Sequence, residues 1–211
     1  SNPNPEALAV ITDSIISTGT TGFLLALPTN TEEVYHEAFR TIEGFANPAV
    51  MGVHLEGPFI SHSRRGAHAP ELIRKPDSEN VESLLKHAGK AIKMMTVAPE
   101  ECTPDVIRQL KEYGITVAAG HSNATFMQAA AGFEMGVETV THLFNAMTPL
   151  HHRDPGLPGA AFLSSTACAS IIADGIHVDY SMVAIAKEIM KERLFLVSDA
   201  VEVNERGAYR H

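Results

Sequence analysis

The chain has 211 residues, of which 45% are hydrophobic and 19% are charged, a composition typical of a folded globular domain. Its formal net charge of −9 comes without a basic run, which argues against nucleic acid or an anionic membrane surface as the main partner. No stretch reaches the roughly 20 apolar residues that a membrane helix needs. The two cysteines, Cys102 and Cys168, predict reduced thiols in a cytoplasmic protein rather than a disulfide.

Along the chain, short apolar runs alternate with segments of helical period. The predicted helices lie at about 6–17, 32–45, 81–88, 104–113 and 124–134, and after Asp179. The predicted strands are TGFLLALPT, NPAVMGVHLEGPF, IKMMTVAPE, ITVAAGH, ETVTH, SIIADGIH and LFLVSD. Thr29 and Asn30 precede Glu32 and Glu33 with the spacing of a capping box. The stretch 60–77 and the one after ETVTH are predicted to be long loops, and a loop of that length is usually functional.

This alternation predicts an α/β fold with a parallel sheet, either rolled into a (β/α)8 TIM-type barrel or open and doubly wound. Catalytic groups of such barrels sit at the carboxyl ends of the strands. Five of the apolar runs end in a potential metal ligand or acid/base group, at Glu56, His121, His142, His177 and Asp199. An open sheet normally uses one or two strand ends, so five favour the barrel. No domain boundary is visible, and residues 1–211 are predicted to form one domain.

Glu56, His121 and His142 are the predicted metal ligands. Two neutral imidazoles and one carboxylate can hold Zn²⁺ or a similar divalent ion while leaving a position open for water. Such an ion makes hydroxide available as a nucleophile near neutral pH. The three residues are far apart in sequence, so this prediction depends on the barrel. Taken alone, each residue is better explained as a hydrogen-bonded group at the end of a strand, and only the three together favour a metal site.

Two further side chains are candidates for catalysis and substrate binding. Asp199 ends an almost entirely apolar run, a position suited to a carboxylate that moves a proton from the attacking water to a leaving group. It can also serve as the cap of a following helix. Arg153 lies between Pro149 and Pro155, where a guanidinium can bind phosphate or carboxylate at two points, or can simply be solvated. The neighbouring histidines at 151 and 152 have no assigned role.

Seven motifs occur in a characteristic order along the chain. They are HLEGPF at 54–59, RGAH at 65–68, GHSNAT at 120–125, THLFNAM at 141–147, the PGLPGA loop, ADGIHVD at 173–179 and SDA at 198–200. In this order they resemble the N-acetylglucosamine-6-phosphate deacetylases of the amidohydrolase superfamily, over nearly the whole chain.

The resemblance implies roles for individual residues. Glu56, His121 and His142 would hold one divalent ion, Zn²⁺ first and Fe²⁺, Mn²⁺ or Co²⁺ as alternatives, and Asp199 would be the catalytic acid/base. The implied substrate-binding positions are Ala67, His68, Asn145, Ala146, Arg153, Asp174, Gly175, Ile176 and His177.

The implied reaction belongs to amino-sugar catabolism. N-acetylglucosamine 6-phosphate would be hydrolysed to glucosamine 6-phosphate and acetate, with His68 and the metal stabilising the oxyanion. The resemblance also implies a homodimer in which phosphate is partly bound across the interface, with Arg153 and His177 as the candidates for that contact.

The chain also departs from the family pattern. The family's β-sandwich segment, its first barrel strand with H-x-H, and the return of the chain after the last barrel strand are not visible. The seven strands are therefore expected to be strands two to eight of a barrel, with one metal site and low stability when made alone. The alternatives are an amidohydrolase acting on another N-acyl sugar or a cyclic amide, and a non-catalytic fragment that binds metal or a partner.

Overall fold

The computed structural model describes residues 4–200, in which seven α-helices alternate with seven β-strands. The helices are α1 (Pro5–Ser17), α2 (Glu32–Glu43), α3 (Ser78–Leu85), α4 (Pro104–Glu112), α5 (Phe126–Met135), α6 (Gly156–Leu163) and α7 (Tyr180–Met190). The strands are β1 (Phe23–Pro28), β2 (Val50–Glu56), β3 (Ile92–Val97), β4 (Thr116–Ala119), β5 (Thr139–Val140), β6 (Cys168–Ile171) and β7 (Leu194–Leu196). None of these helices has the length and apolar character needed to span a bilayer.

All seven strands are parallel, and their order in the sheet is their order in the sequence. Each of the first six strands is followed by a crossover to its immediate neighbour, and the sheet curls as part of a barrel. The parallel α/β barrel architecture predicted from the alternation is thus confirmed, and the carboxyl ends of all seven strands lie on one rim.

The second strand shows how the fold places a polar side chain at that rim. Side chains alternate between the two faces of a strand. Val53 and Leu55 are fully buried in the hydrophobic core. His54 therefore occupies the opposite face with Glu56, and its Nε2 lies 2.7 Å from the Thr96 hydroxyl. Glu56 is the last residue of β2 and pairs in register with Thr96.

Two structural predictions were wrong. The stretch between ETVTH and SIIADGIH, predicted as a loop, contains α6, although Gly156, Pro158 and Gly159 disfavour a helix. Six of its eight residues are buried, so tertiary packing outweighs propensity, and Pro158 is tolerated in the first turn.

The predicted capping box is also absent, because α2 begins after Thr31 without a side-chain cap. The hydroxyl of Thr29 lies within hydrogen-bond distance of the Glu56 carbonyl and of His68 instead.

The strand after α6 ends earlier than predicted. β6 stops at Ile171, so His177 lies beyond the strand in a turn rather than at its tip. The other boundaries differ from the predicted ones by a few residues, as is usual for helix ends. The predicted loop 60–77 contains two short 3₁₀ helices, His62–Arg64 and Pro70–Leu72.

Candidate active site

Three of the predicted site residues meet at the rim formed by β2 to β5. Glu56 ends β2, His121 follows β4, and His142 follows β5. They are 9%, 5% and 4% exposed. Nε2 of His121 lies 3.6 Å from Oε2 of Glu56 and 3.1 Å from Nε2 of His142. His121 therefore lies beside both of the other predicted ligands, whereas the three side chains of residues 4–200 whose ligand atoms all lie within 4.8 Å of one another are Glu56, His68 and His121.

Backbone geometry at the strand ends turns the two imidazoles toward each other. His121 and His142 both have positive φ, at 45° and 34°. This region is unfavourable for residues other than glycine and is found where surrounding contacts impose it, often at functional sites. The hydroxyl of Ser170 accepts the backbone N–H of His142 at 2.8 Å, and Ser61 N–H donates to the His121 carbonyl at 2.9 Å. These contacts come from elements outside the two turns.

A glycine is required directly before His121. A Cβ placed on Gly120 would lie 2.8 Å from the Thr96 side chain and 3.1 Å from that of Thr141. Because both threonines are buried inside the sheet, the neighbours have little room to move. Gly120 lets the backbone pass close to β3 and β5 just before it turns to present His121.

The protonation of His121 suits a metal ligand. Its Nδ1 lies 3.0 Å from the carbonyl oxygen of Arg64, which can only accept a hydrogen bond. Nδ1 therefore carries the proton, and the lone pair is on Nε2, the atom that faces Glu56 and His142. A backbone carbonyl that fixes the tautomer in this way is the usual partner of a metal-binding histidine.

A second buried histidine, His68, also lies beside Glu56. Its Nε2 is 3.8 Å from Oε2 of Glu56, and Glu56, His68 and His121 each offer a ligand atom within 4.8 Å of the others. The Nδ1 of His68, however, accepts the backbone N–H of Thr29 at 3.2 Å. Because a backbone N–H can only donate, Nδ1 must carry the lone pair and the neutral ring has its proton on Nε2. His68 thus faces Glu56 as a hydrogen-bond donor.

Charges at the rim follow from burial and from the close carboxylate. Burial opposes ionisation of Glu56, but the surrounding imidazoles outweigh this effect, with His68 as a hydrogen-bond donor, and hold the pKa of the carboxyl well below its usual range. Burial lowers the pKa of His142 to about 4. The rim therefore combines an ionised carboxylate with a neutral imidazole at pH 7.

The spacings around His121 suit a divalent ion. Ligand atoms at about 2.0–2.2 Å from a tetrahedral ion lie about 3.3–3.6 Å apart. Oε2 of Glu56 lies 3.6 Å from Nε2 of His121, at the edge of that range, and Nε2 of His142 lies 3.1 Å from it, just below the range. Nδ1 of His142 is buried and has no hydrogen-bond partner among residues 4–200, so no contact fixes the tautomer of this ring. Nε2 can act as a ligand atom when Nδ1 bears the proton.

Asp199 lies on the same rim, after β7. Its backbone has φ 46°, and its side chain is exposed. Its pKa is raised, first by partial desolvation and then by the negative charge of Glu56. Glu56 and His121 are near enough to influence the pKa of Asp199, and no hydrogen bond joins them to it within the described residues.

Two of the predicted substrate-binding residues border the His142 turn. Asn145 donates from Nδ2 to the His142 carbonyl at 3.3 Å. The Ala146 carbonyl accepts the N–H of Ser122 at 3.1 Å, which links the turn to the one after β4. Ala67 is exposed beside the buried His68.

The remaining predicted residues lie apart from the cluster. Arg153 is exposed, and its backbone N–H donates to Nδ1 of His151 at 3.3 Å. Asp174 and His177 form an exposed hydrogen-bonded pair at 2.7 Å, and this contact lowers the pKa of Asp174 to about 2. Gly175 and Ile176 lie between them, and Ile176 is 87% exposed. Among residues 4–200, no hydrogen bond or ion pair connects Arg153 or this turn to the metal-binding cluster.

The structure also places residues near the site that the sequence reasoning did not select. Thr29 orients His68, and Arg64 orients His121. Glu100 binds the turn after β4 and could have been found, because it ends the run IKMMTVAPE just as Glu56 ends its own. A cavity of about 370 Å³ opens beside this turn, lined by Arg64, Asn123, Thr125, Thr148, Pro149, His151 and Asp154.

Known proteins that are similar to this chain include several deacetylases. The zebrafish N-acetylglucosamine-6-phosphate deacetylase is 38% identical over 218 residues, covering 97% of this chain and 54% of the relative. The crystal structure of the Pasteurella multocida enzyme of that name superposes with a TM-score of 0.88 at 32% identity, covering 95% of this chain and 53% of the other. A Mycobacterium smegmatis mutant deacetylase solved with N-acetyl-D-glucosamine-6-phosphate gives 0.81 at 33% identity, covering 87% and 49%.

The chain spans about half the length of the curated relatives it matches. The model of the family described as "Amidohydrolase family" matches residues 6–210, almost the whole chain. With its parallel strands, its buried carboxylate and its converging histidines, the chain belongs to the amidohydrolase family.

Proposed function

We propose that the protein hydrolyses the N-acetyl group of N-acetylglucosamine 6-phosphate, releasing glucosamine 6-phosphate and acetate. The observation that carries this proposal is the buried cluster of Glu56, His121 and His142, with two imidazole Nε2 atoms 3.1 Å apart, in a chain that matches deacetylases along 97% of its length. These relatives are named N-acetylglucosamine-6-phosphate deacetylases, and the proposed reaction is the one that this name describes.

Glu56, His121 and His142 are the proposed ligands of one divalent ion, with Zn²⁺ as the first candidate. Bound there, the ion would polarise the acetyl carbonyl and lower the pKa of a water molecule. His121 supports this assignment because its proton is held on Nδ1 by the Arg64 carbonyl. His142 is preferred over His68 as the third ligand because Thr29 N–H occupies Nδ1 of His68 and leaves the proton on Nε2.

His68 is proposed to stabilise the developing oxyanion. Its Nε2–H points toward the carboxylate of Glu56, and Nε2 lies 3.8 Å from Oε2. A donor fixed before the reaction begins stabilises negative charge on the acetyl oxygen without reorganisation. Thr29 provides that fixation through its backbone N–H, and its hydroxyl lies 2.8 Å from Nδ1 of His68.

Asp199 is proposed as the acid and base of the reaction. In its ionised form it takes a proton from the attacking water, and it then delivers that proton to the departing amine as the C–N bond breaks. Its raised pKa supports the second step, because a less acidic carboxylate holds the proton more readily until the amine leaves.

Arg153 and His177 are proposed to bind the phosphate of the sugar, with Asn145, Ala146 and the turn Asp174–His177 contributing to substrate recognition. With a net charge of −9, the protein needs local cations to hold a phosphorylated substrate. Both side chains are exposed and make no contact with the metal cluster within residues 4–200, which suits a phosphate site shared across a homodimer. We place the protein in the cytoplasm.

The test is acetate release by the full-length protein from N-acetylglucosamine 6-phosphate, with unphosphorylated N-acetylglucosamine as comparator and metal content measured on the same sample. Release from the phosphorylated sugar alone, by protein that carries about one divalent ion per chain, is the expected result. Turnover of neither sugar by metal-loaded protein would contradict the proposed substrate. Equal turnover of both sugars would favour an amidohydrolase that does not recognise phosphate.

A further inference from the structure

Glu100 lies next to the metal-binding cluster without belonging to it. It sits in the 3₁₀ helix Pro99–Glu101, directly after β3, the strand between those that carry Glu56 and His121. Its side chain is partly buried and turned toward the residues that follow His121. A partly buried carboxylate at a strand end needs compensating hydrogen bonds, and these define what it holds.

Both oxygens of the Glu100 carboxylate accept hydrogen bonds from the turn after β4. Oε1 accepts the backbone N–H of Asn123 at 2.5 Å, and Oε2 accepts the Ser122 hydroxyl at 2.7 Å. The Ser122 oxygen itself accepts the N–H of Ala124 at 3.1 Å. Three consecutive residues after His121 are therefore tied directly or indirectly to one carboxylate.

The turn held in this way contains His121 in its strained conformation. At φ 45°, His121 occupies a region that persists only when neighbouring structure over-determines it. The Ser61 N–H fixes the His121 carbonyl, and Glu100 fixes the residues that follow. Without Glu100, the downstream side of the strained residue loses both of its carboxylate contacts.

A second connection runs from Glu100 to the imidazole ring. The Asn123 residue whose N–H binds Glu100 also accepts, through Oδ1, the Nε–H of Arg64 at 2.9 Å. The carbonyl of Arg64 in turn accepts Nδ1–H of His121 at 3.0 Å. Glu100, Asn123, Arg64 and His121 thus form a closed loop of contacts. It controls both the backbone of His121 and the tautomer of its ring.

We propose that Glu100 is a positioning residue that holds His121 in the geometry and tautomer needed to bind the metal. The inference rests on the proposed metal site. Among residues 4–200, no hydrogen bond or ion pair joins Glu100 to the side chains of Glu56, His121 or His142. Partners of metal ligands typically change metal affinity by about 10–100-fold when they are removed.

The test measures Zn²⁺ affinity of the metal-depleted full-length protein, by competition with a chromophoric chelator, alongside thermal unfolding without metal. Glu100→Ala is expected to bind Zn²⁺ about tenfold or more weakly. Glu100→Asp keeps the charge but is too short to reach both donors, so it should also bind more weakly. Glu100→Gln should stay close to wild type, because its amide oxygen can accept from Asn123 and its NH₂ can donate to Ser122. Glu101→Ala, at an exposed neighbouring position, is the matched control.

The ranking of the variants decides the proposal. Wild-type affinity in folded Glu100→Ala or Glu100→Asp would overturn it, as would a loss in Glu100→Gln combined with retention in Glu100→Asp, which would indicate a charge effect instead. If Glu100→Ala does not fold, the aspartate and glutamine variants decide. Wild-type protein that binds Zn²⁺ but releases no acetate refutes only the proposed substrate. Wild-type protein that binds no Zn²⁺ refutes the metal site and the role of Glu100 with it.

Discussion

The rim of the sheet has two parts that differ sharply in packing. At the ends of β2 to β5, Glu56, His121 and His142 are at most 9% exposed and are held by contacts from other elements. At the ends of β6 and β7, Ile176 is 87% exposed and Leu196 is 73% exposed. The proposed metal-binding part is organised within residues 4–200, whereas the proposed phosphate-binding part makes few contacts there.

The difference has a structural cause in the strands themselves. Within residues 4–200, the second to fifth strands each pair with a strand on both sides, while β7 pairs on one side only. Phe195, Leu196 and Val197 are all exposed, although β7 is as apolar as the buried strands. Exposed apolar side chains on an edge strand usually mark a surface that another chain or segment covers. The function of this part of the rim therefore depends on what covers it, whereas the packed part depends on contacts within residues 4–200.

The largest effect is expected from the ligands in the packed part. His121→Ala or His142→Ala should lose the bound divalent ion and with it nearly all acetate release, because each removes a ligand atom from a buried site. His177→Ala, in the exposed part, should keep the metal. Metal content by elemental analysis, measured with activity on full-length protein, checks this. Equal metal content in all three variants would remove the ligand assignment.

Asp199→Asn should keep the metal and reduce turnover by about 10²–10⁴-fold, because an amide has the shape of the carboxylate but cannot carry the proton. As a base, Asp199 acts only when ionised, so wild-type turnover should fall as the pH drops through its pKa. Because that pKa is raised, the fall should come at a higher pH than for an ordinary aspartate. Near-normal turnover in this variant, with or without the acidic limb, would exclude the role.

Much of the fold was predictable because it is encoded locally. Buried parallel strands are continuous apolar runs, and the seven runs of this chain match the seven strands. The loop that became α6 was not predictable in this way. Its Gly156, Pro158 and Gly159 disfavour a helix in isolation, and only burial against the rest of the domain stabilises one.

The site was predictable to the extent that a strand end defines it. The expectation that functional side chains lie at the carboxyl ends of apolar runs located Glu56, His121 and His142. The same expectation applied to IKMMTVAPE would have located Glu100. It misplaced His177, because SIIADGIH continues with turn residues after the strand has ended at Ile171. The choice between His68 and His142 as a ligand depends on which ring nitrogen of His68 carries the proton, and the Thr29 N–H decides this. A contact between residues 39 positions apart leaves no local pattern in the sequence.

A smaller and more selective effect is expected from Arg153 in the exposed part. Arg153→Ala should weaken use of the phosphorylated sugar and leave the unphosphorylated sugar nearly unchanged. A hydrogen bond to a charged group contributes about 1.5–3 kcal/mol, which corresponds to about 10–100-fold in kcat/KM. Kinetics on both sugars, with Arg108→Ala as an exposed control on α4, test the assignment. Equal losses on both sugars would point away from phosphate recognition.

The smallest effect concerns thiol reactivity and compares the two parts of the molecule without any substrate. Cys102 follows β3 in the packed part, where burial, with Glu100 and Glu101 nearby, raises the pKa of its thiol to about 12. At pH 8 only about one molecule in 10⁴ then carries the reactive thiolate, so iodoacetamide should leave Cys102 unmodified in the native protein and alkylate it after denaturation. Peptide mass spectrometry measures the modification at each cysteine, and Cys168, the first residue of β6, provides the internal comparison. Alkylation of native Cys102 at the rate of an unfolded peptide would show that the packed part opens to solvent far more readily than its burial indicates.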